Sequence, residues 1–66
     1  MNTKNQQTAI LNYINTHKTI TVRQAFYLGI NSPTKRISEL RQDGKPIIDK
    51  WENGENGRYK VYSLEV

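Results

Sequence analysis

The polar residues that open the chain give way to Ile10, Leu11 and Ile14, and neither Pro nor Gly occurs from Thr3 to Thr16. The i, i+1, i+4 spacing lines one face of a helix and predicts a first helix over about residues 3–17. Lys18-Thr19-Ile20 breaks that period. It is too short for an independent strand but able to add an edge to a sheet formed elsewhere. Thr21 then reads as an N-cap, Val22, Ala25 and Phe26 share a face, and Gly29 is a left-handed stop, which predicts a second helix over about 21–29. Ser32 and Pro33 form a start signal, Ile37 and Leu40 repeat the apolar position, and Gly44 and Pro46 close the segment. A third helix is expected over about 32–43. Beyond it the period falls to two, as Ile47, Asp49 and Trp51 alternate with Ile48, Lys50 and Glu52. Tyr59, Val61 and Ser63 alternate in the same way with Lys60, Tyr62 and Leu64. Two strands, about 46–52 and 58–64, are therefore expected to form a hairpin around the polar turn Asn53-Gly54-Glu55-Asn56-Gly57.

Composition narrows the possibilities. With 66 residues, 35% of them apolar, and no Cys, the chain has room for one small α+β domain over residues 1–66 and for neither a large cavity nor a disulfide scaffold. No apolar stretch outruns residues 25–30 and the start is polar, so neither a membrane span nor a secretory signal is expected, and the cytoplasm is the expected location. The net charge is +4, unevenly spread. Residues 1–38 hold Lys4, Lys18, Arg23, Lys35 and Arg36 and no acid, whereas residues 39–66 hold five cations and six acids. A one-sided basic segment suits a polyanion, and it equally suits a surface kept basic for solubility.

Three helices followed by a hairpin is the order of the winged variety of helix-turn-helix domain, in which the third helix enters a DNA groove and the hairpin lies alongside. The run Ile20-Thr21-Val22-Arg23-Gln24-Ala25-Phe26 through Gly29-Ile30, then Arg36-Ile37-Ser38-Glu39-Leu40-Arg41 and Gly44, resembles the small winged helix-turn-helix DNA-binding proteins of bacteriophages and prophages. The likeness spans about residues 8–64. It implies that Ala25 is the small residue at the crossing of the second and third helices. Gly29 would then be the turn glycine, and Ile30, Ile37 and Leu40 the core anchors. One departure is visible: the compact pattern has an apolar residue six places after the glycine, where this chain has Lys35. The anchor is delayed to Ile37, which implies a longer turn.

Helical spacing of about 100° per residue turns Pro33, Ile37 and Leu40 to the core and Lys35, Ser38 and Gln42 away from it, with Thr34 and Glu39 beside them. Such a mixture can read base edges, Lys at guanine, Gln at adenine, Glu at the cytosine amine and Ser at several partners. An ordinary solvated helix face has a similar composition. Arg36 and Arg41 flank the stripe, able to reach phosphates or to lay their stems over the core. A phosphate contact is the expectation for Arg36, and both roles stay open for Arg41. Asn31, Ser32 and Thr34 sit at the start of the helix, where backbone N–H groups and the dipole attract a phosphate and where Ser32 can also cap. In the hairpin, Asn56, Arg58 and Lys60 lie at or after the turn, and Arg58 could enter a minor groove or touch the backbone, against the repulsion of Glu52 and Glu55. Lys18 and Arg23 are secondary phosphate candidates, with Lys50 weaker still. The aromatics Tyr27, Trp51, Tyr59 and Tyr62 are expected to seal the core rather than to stack on bases.

Other chemistries lack their residues. With His17 the sole histidine and no cysteine, neither a zinc site nor a Cys–His or Ser–His nucleophile can be assembled. Gly54-Glu55-Asn56-Gly57 has the spacing of the Gly-x-x-Gly loop of KH RNA-binding domains, but it joins strands and carries an acid. No phosphate-binding loop follows a strand, and no carboxylate precedes Glu39. The expectation is a double-stranded DNA-binding protein without enzymatic activity, cofactor, metal, membrane or small-molecule ligand, acting by occupancy or bending. The resemblance implies a phage or mobile-element transcriptional regulator or an excisionase-like architectural factor, loading several copies on adjacent DNA sites. The competing class is a protein-interaction module that binds a host or phage protein. The free protein is expected to be a monomer.

Overall fold

The computed structural model describes residues 2–65. Helix α1 spans Thr3–His17, strand β1 Thr19–Thr21, helix α2 Val22–Tyr27, helix α3 Pro33–Gln42, strand β2 Ile47–Gly54 and strand β3 Gly57–Leu64. Local chemistry sets most of these limits. Asn2 caps α1 by accepting from the Asn5 N–H at 2.8 Å. Thr21 caps α2 through a reciprocal capping box: its hydroxyl accepts from Gln24 N–H at 3.1 Å, and the Gln24 side chain accepts from Thr21 N–H at 2.9 Å. Such a cap stabilises a helix by about 1 kcal/mol. Gly29 takes φ +87° beyond the end of α2, as a left-handed terminator requires.

The Lys18-Thr19-Ile20 segment does add an edge. β1 pairs antiparallel with β3, Ile20 opposite Tyr62, and β3 pairs antiparallel with β2 along the full hairpin, giving the sheet order β1-β3-β2. The helices cover one face of this sheet. Ile10 and Ile14 from α1, Ile20, Ala25, Ile30, Ile37, Leu40, Ile47 and Tyr62 make one continuous core. Each fully buried Ile among them contributes about 1.5–3 kcal/mol relative to exposure. Among the described residues no helix is long and apolar enough to cross a membrane.

Four expectations change. The second helix is shorter than 21–29, ending at Tyr27, because Leu28 and Gly29 already turn; the chain then needs residues 28–32 to reach α3. This is the longer turn that the late Ile37 anchor implied. The hairpin strands reach further than 46–52 and 58–64, since only one of the two Asn-Gly pairs turns. Glu55 and Asn56 form the turn and Gly57 takes φ +117°, while Gly54 stays in β2, where the Tyr59 ring lies 3.1 Å from the place of a Cβ and leaves little room for a side chain. Phe26 does not join Ala25 in the core but is 56% exposed. Of the aromatics expected to seal the core, only Tyr62 does so. Trp51 and Tyr59 are exposed because the hairpin runs past the end of β1 and carries them beyond the helices, and Tyr27 is exposed at the end of α2.

Burial of Ala25 and exposure of Phe26 separate two substitutions on one short helix. Ala25→Leu forces a larger side chain into a filled site and is expected to cost about 1–3 kcal/mol. Phe26→Ala removes a whole ring yet is expected to cost under about 1 kcal/mol. Urea denaturation of both variants checks the order, and a larger loss for Phe26→Ala would contradict this packing.

Candidate nucleic-acid interface

Helix α3 presents two faces of different chemistry. Pro33, Ile37 and Leu40 are buried, while Thr34, Lys35, Ser38 and Gln42 are exposed, as their spacing implied. The N-terminal end is open in a specific sense: Ser32 occupies the cap position but its side chain makes no capping bond. Asn31 and Ser32 are exposed beside it, so the first turn of α3 keeps the positive end of its dipole toward solvent.

The two arginines of α3 and Glu39 have partners within the fold. Arg36, expected at a phosphate, is instead buried against α1. Its Nη1 donates to Thr3 Oγ1 at 2.7 Å, and its Nε lies 3.0 Å from Glu39 Oε1 in an ion pair without hydrogen-bond geometry. The same Glu39 oxygen accepts from Gln7 Nε2 at 3.0 Å. Glu39 is thereby a strut between α1 and α3 rather than a reader of cytosine. Because Arg36 sits one residue before the core position Ile37, its stem is drawn under α1, and the basic residue left on the outer face is Lys35. Arg41 ties the end of α3 to β2, donating from Nε to the Ile47 carbonyl at 3.0 Å and from Nη2 to Asp49 Oδ1 at 2.6 Å. It also lies over the Tyr62 ring, 5.9 Å from the centroid.

The register of the hairpin decides which wing residues accompany α3. Ile47 opposite Leu64 and Asp49 opposite Tyr62 belong to the helix-covered face, so alternation puts Trp51 opposite Lys60 and Asn53 opposite Arg58 on that same face, beyond the core. Arg58 and Lys60 each lie 5.1 Å from the Trp51 ring centroid. Glu52, which threatened to repel phosphate, falls on the opposite face, opposite Tyr59, and pairs with Lys50 at 3.4 Å. Asp49 is flanked by Arg41 and by Lys60, 3.6 Å away. The Arg41 hydrogen bond, followed by the nearby Lys60 and Arg41 charges, outweighs desolvation and holds its carboxyl below the ordinary carboxylate range. Asp49 thus stays ionised as pH falls, and its bridge to α3 opens only in more acidic solution than an ordinary carboxylate would require. Of the acids on the wing, Glu55 alone stands at the tip.

The remaining candidates divide. Arg23, on the first turn of α2, lines an open cleft with Thr21, Gln24 and Tyr27 on one side and Gly54 to Lys60 of the wing on the other. Arg23, Arg58 and Lys60 therefore share one concave surface. Lys18 does not join them; it borders a separate groove with Asn15, Thr19, Ile48 and Ser63. Trp51 and Tyr27 were missed as surface residues because their size was weighed and their position was not. The period of two set Trp51 on the face of Ile47 and Asp49, and the register of the hairpin places Lys60 opposite it.

Adjacent residues of α3 can be told apart by experiment. Arg36→Met, which removes the buried guanidinium that joins Glu39 and Thr3, is expected to cost about 1–3 kcal/mol in urea unfolding. Lys35→Gln is expected to change stability by less than about 0.5 kcal/mol and to act on DNA affinity alone. Equal stability of the two variants would contradict the buried role of Arg36.

The helix pair, the five-residue turn and the hairpin carrying cations on the face of α3 agree with comparison against known families. The winged helix-turn-helix domain family matches residues 5–66. No curated protein and no solved structure gives a significant match. A winged helix-turn-helix domain suggests DNA as its partner. The match covers nearly the whole chain and the architecture agrees with it, so this chain belongs to the winged helix-turn-helix domain family.

Proposed function

We propose that the protein binds double-stranded DNA, with α3 reading the major groove through Thr34, Lys35, Ser38 and Gln42 and the wing touching the backbone or the flanking minor groove through Arg58 and Lys60. One observation carries this reading: the Arg41–Asp49 bridge ties α3, with its exposed polar face, to the face of the hairpin that bears Lys60 and Arg58, while Glu52 is on the other face. Arg23 adds a positive charge across the cleft. Asn31 and Ser32 lie where a phosphate would meet the start of α3. Lys35 would set the register of α3 by phosphate or guanine contact, and Ser38 and Gln42 would add base discrimination of roughly 1–3 kcal/mol for each well-formed bidentate pair.

The biological role follows the resemblance of the motif residues: a transcriptional regulator of a phage or mobile element, or an excisionase-like architectural factor, acting in the cytoplasm by occupancy or bending rather than by chemistry. A single domain of this size gives modest affinity, and several copies on adjacent sites would raise it. The exposed apolar residues Phe26, Tyr27, Ile48 and Tyr59 support a second reading, a module that docks on another protein.

Fluorescence anisotropy with a mixed-sequence duplex at several salt concentrations distinguishes the two. Lys35, Arg23 and the wing pair Arg58 and Lys60, neutralising one phosphate each with the pair counted as one, predict a slope of log affinity against log salt of about −3. Absence of binding at low salt would overturn the DNA reading and favour the protein-docking one.

A further inference from the structure

Trp51 is the sole tryptophan of the chain, and 54% of it is exposed. A large aromatic left in water at this position buries little of the core it could have joined, and its immediate surroundings show what it does there. Lys60 stands directly across the strand and Arg58 two residues nearer the turn, each cation 5.1 Å from the ring centroid. Lys60 is also 3.6 Å from Asp49 Oδ2, and Asp49 accepts from Arg41 at the end of α3. A single row therefore runs from α3 along the wing: Arg41, Asp49, Lys60, Trp51, Arg58.

The row has a physical consequence. Lys and Arg side chains lose much rotamer freedom when they bind, and a cation resting on an aromatic face has part of that freedom removed in advance. Beside the aromatic plate Arg58 is exposed and Lys60, though close to Asp49, is half-exposed. A complementary ligand offers an anion to the two cations and an apolar surface to the exposed part of the indole. The sugar–phosphate backbone of DNA alternates those two features; a free phosphate offers only the first.

We propose that Trp51 organises a backbone-contact site on the wing, in which Arg58 and Lys60 hold one phosphate and the indole covers the adjoining deoxyribose. The assignment rests on the DNA-binding reading and deepens it. Trp51 is in this account a positioning residue for the two cations as well as a contact in its own right, and the wing docks as a prearranged unit rather than as two independent flexible charges.

The test uses the full chain in three forms: wild type, Trp51→Phe and Trp51→Leu. In the DNA-free protein, the ring current should shift the Arg58 δ and Lys60 ε protons upfield in wild type, less in Trp51→Phe and not in Trp51→Leu. Thermal unfolding checks that all three are folded. On duplex DNA, Trp51→Leu should bind about three- to tenfold more weakly with a shallower salt slope, and Trp51→Phe should recover most of the loss. Indole emission of the wild type should change on adding duplex and stay constant on adding inorganic phosphate. Unshifted side-chain protons in the free wild type, or Trp51→Leu binding with wild-type affinity and slope, would overturn this inference while leaving the DNA reading intact. A wild type that shows the proton shifts but binds no duplex would overturn both.

Discussion

The fold depends on where the short strand β1 stops. Ile20 opposite Tyr62 joins the helical half of the chain to the hairpin, burying both residues and turning two strands into a three-stranded sheet. One residue later Thr21 becomes the cap of α2, and its capping box with Gln24 redirects the backbone from strand to helix. β3 therefore loses its outer partner beyond Val61, and the hairpin projects as a wing from there to its turn. A single polar pair, Thr21 and Gln24, thus marks the boundary between the part of the sheet that holds the core and the part that faces outward.

The charges sort along the same boundary. Inside it, Arg36, Glu39, Gln7 and Thr3 lock α1 to α3, and Arg41 with Asp49 locks α3 to β2. These contacts pair Glu39 and Asp49 with arginines of α3. Outside it, Lys35, Arg23, Arg58 and Lys60 lie on α3, α2 and the wing, with Glu52 on the far face of the hairpin. A modest net charge becomes a directed one where Glu39 and Asp49 are paired within the fold and Glu52 is turned away, a matter of which face each residue occupies rather than of total composition.

Much of this was legible in the sequence. The apolar positions of α1 and α3, the Thr21 cap, the glycine stop at Gly29, the period of two in the hairpin and the outward stripe Lys35, Ser38 and Gln42 all follow from spacing. What spacing did not carry was tertiary context. Arg36 and Lys35 are both basic neighbours on one helix, and only the approach of α1 decides that Arg36 is buried. Trp51 and Tyr59 are large enough to be core residues, but the overhang of the hairpin past a three-residue strand leaves them outside. Of two Asn-Gly pairs, the one that turns is the one whose glycine is free of the Tyr59 ring. In each case a residue's type suggested its role and its distance from another element settled it.

The central claim is that α3 and the wing form one DNA-binding surface. Titrating the isotope-labelled protein with a short duplex while following backbone amide and tryptophan indole resonances tests this most directly. The account predicts perturbations concentrated at Thr34, Lys35, Ser38 and Gln42, at Arg58 and Lys60, and at the Trp51 indole, with little change in the outer face around Ile48 and Ser63. Perturbations confined to that outer face, or to Phe26 and the end of α2 with α3 untouched, would contradict it.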